Sequence, residues 1–281
     1  MSTQDTIART PPRDVRLELR QRCGFGCAMC GSPVFDYEHI EGFEATGHDP
    51  DHMTLLCPWH HREKTAGRLP VETVRKANAD PRNVKSSFSS SHELYFNGMD
   101  FAVELGNLRL KTDGVEDDDR AAAIVVDGAI VLGARITNGY LRLDVNIRDE
   151  HNRTLLRIDD GWLRVATENW DVEFTGTHLR VRAGLGKIIT QIELTPPHKI
   201  SLDRGKFYFN HVPILIGSDA PDGGLEIAER TFAGLTLKDG SITVESERIG
   251  YPTALGIRSS PRHYGAPPAP VGGAFSRRTR D

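Results

Sequence analysis

Arg22-Cys-Gly-Phe-Gly-Cys-Ala-Met-Cys30 and Leu55-Leu-Cys-Pro-Trp-His-His61 decide how this chain is read. Cys27 and Cys30 are two thiolates on a tight knuckle, and Cys57 and His60 are a second pair with the same two-residue spacing. Three sulfurs and one imidazole in two such pairs suit tetrahedral Zn²⁺ and leave no open coordination position. The expected role of Cys27, Cys30, Cys57 and His60 is therefore structural: they would tie the first knuckle to the start of a helix. Cys23 has no spaced partner and is expected to be a small core residue. Cys23, Cys27 and Cys30 together also have a spacing that can hold three irons of a [4Fe–4S] cluster. Enzymes built on such a motif need a long run of βα units after it, and here one small ββα unit is followed only by strands.

All four cysteines fall between residues 23 and 57, a clustering that points to metal binding in a reducing compartment rather than to a disulfide framework. The N-terminus lacks the apolar segment of a secretory signal, and no apolar run approaches the length of a membrane span, so a cytoplasmic protein is expected. A net charge of -4 excludes a global basic coat, so any DNA contact must be local.

With 281 residues the chain has room for two domains. Residues 1–12, polar with a Pro pair, and 261–281, rich in Pro, Gly, Ala and Arg, lack apolar periodicity and are expected to be disordered. Residues 81–92, beginning at Pro81 and ending in a Ser tract, have the composition of a flexible linker. Within residues 13–80, Val15 to Leu19 suits a short strand or helix. Val34 to Ile40 and Met53 to Leu56 read as strands separated by a Gly- and Asp-rich loop, and a helix is predicted from Trp59 to about Ala66. Val71, Val74 and Ala77 give a second helix one apolar stripe, with Pro70 at its first turn. Residues 93–260 alternate apolar and polar positions in short runs such as Tyr-Leu-Arg-Leu-Asp-Val-Asn-Ile (140–147). Asn97-Gly98, Asp127-Gly128, Asn138-Gly139, Asp160-Gly161 and Asp239-Gly240 mark tight turns between them. The predicted fold class is thus α+β: a small zinc-braced ββα unit followed by an all-β domain, a sandwich or barrel, with a β-solenoid as the lesser alternative.

The stretch from Arg22 through Glu38-His39 and Asp51-His52 to Leu55-Leu-Cys-Pro-Trp-His-His61 and Lys64-Thr65 resembles the zinc-containing branch of the HNH endonuclease family, also called ββα-metal nucleases. The resemblance covers the N-terminal module only. It implies that His39 is the general base, that His61 is a ligand of a catalytic divalent cation, and that Glu38 is a second ligand. His52 stands where the family has its central Asn, which steadies the loop and the base through hydrogen bonds. His differs from Asn in shape and can itself bind metal.

The chemistry of these residues is consistent with that role. Phosphodiester hydrolysis needs an activated water and a cation that stabilises charge on the phosphate and the leaving oxygen. A histidine such as His39 can take a proton from water near neutral pH. Glu38 and His61 offer one oxygen and one nitrogen, a sparse shell suited to Mg²⁺ or Mn²⁺; Ni²⁺ or Zn²⁺ would be favoured if His52 or His48 joined it. Arg62, Lys64 and Arg68, with Arg13, Arg16, Arg20 and Arg22, could contact phosphates without reading sequence. Residues 1–92 carry as many acids as bases, so the alternative for these cations is a solvated charged face.

Residues 93–260 contain no catalytic motif, and their role is inferred to be recognition of a ligand or protein partner, or regulation. Trp162, Trp170, Tyr140, Phe207 and Tyr208 suit a β core more readily than a binding face. The expected function is a metal-dependent DNA endonuclease of the kind found in bacterial or phage defence, with a homodimer easing double-strand cleavage. The competing expectation is a catalytically silent zinc module that binds nucleic acid or protein.

Overall fold

The computed structural model describes residues 10–113, 120–227, 229–234, 236–238, 241–246 and 252–258. The chain opens with helix α1 (Arg13–Arg22), strand β1 (Asp36–His39), the one-turn helix α2 (Phe43–Thr46), strand β2 (Met53–Leu56), helix α3 (Pro58–Thr65) and helix α4 (Val71–Ala79). The segment from Val15 to Leu19 is thus helical. Strands β1 and β2 pair antiparallel, with Asp36 opposite Leu56 and His39 opposite Met53. All four residues of β2 are buried, as a strand covered on both faces requires. Pro58 starts α3 at the position where proline's missing N–H costs nothing. In α4, Val74 is buried, and Val71 and Ala77 pack against the module's two small apolar clusters.

The rest of the described chain is β. One antiparallel run passes from Arg120–Val126 through Ala129–Thr137, Tyr140–Arg148, Thr154–Asp159 and Trp162–Val165 to His92–Glu93. A second passes from Asp171–Thr175 through His178–Gly184, Lys187–Thr195, Lys199–Phe209 and Val212–Gly217 to Leu225–Ile227 and Arg230–Phe232. The strand Phe101–Leu105 lies parallel to the first half of Lys199–Phe209, and Tyr208 pairs with Arg148 to join the two runs. The sheet curls into a barrel-like wall around one continuous apolar core. Alternation is the cause: Leu141, Leu143, Val145 and Ile147 are buried, and the residues between them face outward. Asp127-Gly128, Asn138-Gly139 and Asp160-Gly161 all have positive φ at both positions, the geometry that matches strand twist in two-residue hairpins. Asp239-Gly240 and the two expected disordered ends, apart from residues 10–12, lie outside the described residues. None of the described helices is long and apolar enough to cross a membrane.

One structural feature differs from the sequence expectation. Residues 81–92 read as a flexible linker, yet they are built into the molecule. Arg82–Lys85 form a 3-10 turn, and Arg82 N–H donates to Ala28 O. Ser89 exchanges hydrogen bonds with Val165, Thr167 N–H donates to Ser87 O, Phe88 makes an isolated bridge to Ala166, and Leu163 pairs with His92, so the serine tract runs bonded alongside residues 163–167. The amide of Asn83 donates to Gly24 O (3.0 Å) and Gly31 O (3.1 Å). It sits so close that a Cβ on Gly26 would lie 2.4 Å from Asn83 Nδ2. Asn83→Ala is expected to lower stability by about 1–3 kcal/mol, the cost of stranding a buried acceptor, read as a shift in the denaturant midpoint.

A second tie to the β wall is Phe25, in the loop leading to the knuckle, which is only 1% exposed and belongs to the core of the β wall. Gly24 (φ 60°) and Phe25 (φ 56°) turn the chain so that the ring enters that core. The α1 residue Arg20 joins the same junction through the buried Asp171.

Candidate metal centre

The knuckle is formed by backbone bonds from Cys27 N to Ser32 O (2.8 Å) and from Gly31 N to Cys27 O (2.7 Å), with Gly31 at φ 79°. Ala28 N–H donates to Leu55 O and fixes the knuckle against β2. Cys57 caps α3, its sulfur accepting from His60 N–H, which brings His60 into the first turn beside it. The four ligand atoms of Cys27, Cys30, Cys57 and His60 lie within 4.8 Å of one another. Cys30 Sγ is 3.8 Å from Cys57 Sγ, and His60 Nδ1 is 3.2 Å from Cys57 Sγ and 3.5 Å from Cys27 Sγ. Tetrahedral Zn²⁺ with ordinary bond lengths separates sulfurs by about 3.8 Å and sulfur from nitrogen by about 3.6 Å. The cluster is therefore placed to hold one metal ion and fits structural zinc. The hydrogen bond with Cys30 holds the Cys27 thiol down to about 5 against its burial, and the same contact pushes Cys30 up. Burial pushes Cys57 up as well. A dication removes this competition by taking all three groups as thiolates. Cys23 is separate: it is buried beside Thr54 Oγ1, with its thiol pushed up by burial.

The next residue, His61, points to a second group of side chains. His61 Nε2 lies 2.9 Å from Glu38 Oε2, and its Nδ1 lies 3.9 Å from Asp36. Asp36 and Glu38 are two apart on β1 and so face α3 together. One turn along α3, Lys64 Nζ donates to Glu38 Oε1 (2.5 Å) and to His39 O (2.9 Å). Glu38 is buried, with one oxygen held by lysine and the other turned to imidazole. His39 ends β1 with its ring against Phe43 and its Nε2 3.2 Å from His48 Nδ1.

The structure thus brings Glu38 and His61 together, while His39, which follows Glu38 on β1, has its ring against Phe43 and His48. His52 hydrogen-bonds Glu41 (3.0 Å), which Arg75 holds from its other side (2.8 Å). Asp36 and the contact between His48 and His39 were not singled out from sequence. The i, i+2 relation of Asp36 to Glu38 is the signal that would have found the first. Of the candidate phosphate contacts, Lys64 turns inward, Arg68 pairs with Glu63 (2.7 Å), and Arg20 is buried. Arg22 donates to Pro50 O and Met53 O, and Arg16 lies 3.7 Å from Glu173, while Arg62 and Arg13 stand exposed. Trp59, at the start of α3, is 68% exposed. On the β wall Phe207 is core, Trp162 and Tyr140 are exposed, and Trp170 and Tyr208 are half-buried. No protein-family model, curated protein or solved structure matches this chain.

Proposed function

We propose that the β1–β2–α3 unit is an HNH-type nuclease site and that the protein is a metal-dependent DNA endonuclease, with the β domain serving recognition or regulation. The observation that carries the reading is the Glu38–His61 pair, 2.9 Å apart, on a strand and helix fixed by the Cys3His cluster. Glu38 Oε2, His61 Nε2 and the nearby Asp36 carboxylate would hold Mg²⁺, Mn²⁺ or Ni²⁺, which polarises the scissile phosphate and stabilises the leaving oxygen when bound. Lys64 fixes the Glu38 side chain through Oε1 and leaves Oε2 directed at His61. His39 takes a proton from the attacking water. Arg62 and Trp59 lie on the exposed side of α3, where a DNA backbone could approach.

The test is cleavage of supercoiled plasmid by the zinc-loaded protein with each cation and with none. Cation-dependent nicking is expected, and His39→Ala is expected to reduce it about 10²–10⁴-fold without loss of zinc. One observation favours a second reading: His52, at the family's Asn position, is committed to Glu41, whose other oxygen is held by Arg75. A wild type inert with every cation would favour the silent zinc module that binds nucleic acid or protein.

A further inference from the structure

The loop between the two strands of the module returns to its own starting point. It leaves β1 at His39, turns at Gly42 (φ 95°), makes the single turn α2, and turns again at Gly47 (φ 57°). Neither glycine has a neighbour within 4 Å of a would-be Cβ, so both serve the path of the chain rather than close packing. The path places His48 Nδ1 3.2 Å from His39 Nε2, with the ring centroids 5.4 Å apart. Phe43 closes the group, its centroid 5.2 Å from that of His39 and 5.0 Å from that of His48. An apolar ring against both imidazoles restricts their rotation and favours the bond between them over bonds to water.

The geometry points to His48 as the positioning residue of His39: His39 Nε2–H donates to His48 Nδ1 and so fixes which nitrogen of His39 carries its proton. A neutral imidazole has one N–H and one lone pair, and the bond made at one nitrogen decides the state of the other. With the proton held at Nε2, the lone pair remains on Nδ1, which is then the atom able to accept a proton from water. In the opposite tautomer that nitrogen carries hydrogen and cannot act as a base, and a wrong tautomer is costly in histidine-based catalysis. The inference rests on the reading of His39 as the base and adds to it the residue that prepares it. His52 is held at Glu41 instead, and His48 reaches the base from further back in the same loop.

Two readouts test this, one independent of turnover. Two-bond ¹H–¹⁵N spectra of the zinc-loaded full-length protein, at about pH 8 where free imidazoles are neutral, are expected to show His39 as the Nε2–H tautomer. His48→Ala should give His39 shifts averaged over both tautomers, and His48→Gln, whose amide oxygen can accept the bond, should restore the single form. In cleavage assays His48→Ala should lower kcat about 10–100-fold, the effect of a misplaced group. KM and zinc content should stay unchanged, and His48→Gln should recover part of the rate. A wild-type His39 in the Nδ1–H form, or one whose tautomer is indifferent to His48→Ala, would overturn the proposal. If the wild type cleaves nothing, the nuclease reading fails while the tautomer result still decides the His39–His48 bond.

Discussion

Cys57→Ser is expected to yield protein without zinc, with β1, β2 and α3 unfolded and the β wall intact. The size of the effect follows from how little else holds this module together. Its apolar clusters are small: one centres on Leu19, Cys23, Ala28, Met53 and Leu55, the other on Cys27, Ile40, Leu56, Cys57 and Val74. Two of the metal ligands are themselves part of the second cluster. Helix α3 has 8 residues, too few to persist alone in water, and its N-cap is the ligand Cys57. Structural zinc sites bind with about 10–16 kcal/mol at neutral pH, as much as the whole stability of many domains. Elemental analysis should find one zinc per chain in the wild type. Treatment with a strong chelator should open residues 23–65 to limited proteolysis and change the emission of Trp59. The β core around Leu143, Ile158 and Leu202, to which Phe25 is the contribution from residues 23–65, should keep its protease resistance. Zinc retained by Cys57→Ser, or a chelated module as protease-resistant as the loaded one, would show that the cluster does not support the fold.

This dependence also explains what was legible in the sequence. Ligand spacing is a local property: Cys27 to Cys30 and Cys57 to His60 each close within one turn of chain, so the pattern encodes the geometry. Strands of the β wall are legible for the same reason, since Leu141, Leu143, Val145 and Ile147 reveal their buried face by alternation alone. Asp127-Gly128 and Asn138-Gly139 reveal their turns because few other pairs accept positive φ twice. Residues 81–92 misled because Ser and Asn can be solvated or can act as backbone partners, and composition does not tell which. Here Asn83 and Ser89 do the latter, with acceptors and donors far away in sequence. Phe25 gave no sign of crossing into the β core, since a lone aromatic between glycines has no periodicity. In the candidate site, Glu38, His39 and His61 were named through a resemblance that ties residues to positions, and the structure pairs Glu38 with His61. Asp36 and the His39–His48 contact depend on strand direction and on the loop path set by Gly42 and Gly47, which no motif records.

Asp171→Ala is expected to destabilise the protein by about 3–5 kcal/mol, the usual cost of stranding a buried charge. Asp171 is 2% exposed and accepts from Arg20 Nε (2.7 Å), Arg20 Nη2 (3.0 Å) and Arg182 Nη1. Arg20 is 3% exposed, and Arg182 reaches Glu173 through Nη2 (3.1 Å). Two guanidiniums thus share two carboxylates at the junction of α1 and the β wall, 151 residues apart in sequence for the Arg20–Asp171 pair. Removing Asp171 leaves both cations to Glu173, while neither can shed its charge at any pH where the protein folds. If the loss reflects an orphaned charge rather than lost packing, replacing both partners should be milder: Arg20→Met with Asp171→Leu should cost less than Asp171→Ala alone. Denaturant midpoints of Asp171→Ala, of the double variant and of its two single components decide this, and a double variant as unstable as the sum of its parts would assign the loss to packing. The same contact should reach the candidate site. Arg20 also donates to the Tyr37 hydroxyl, and Tyr37 lies on β1 between Asp36 and Glu38. Releasing Arg20 frees that strand from the β wall while the cysteine cluster still holds its neighbour β2. Zinc content should therefore survive Asp171→Ala, and cation-dependent cleavage should fall with the loosened placement of Glu38 against His61.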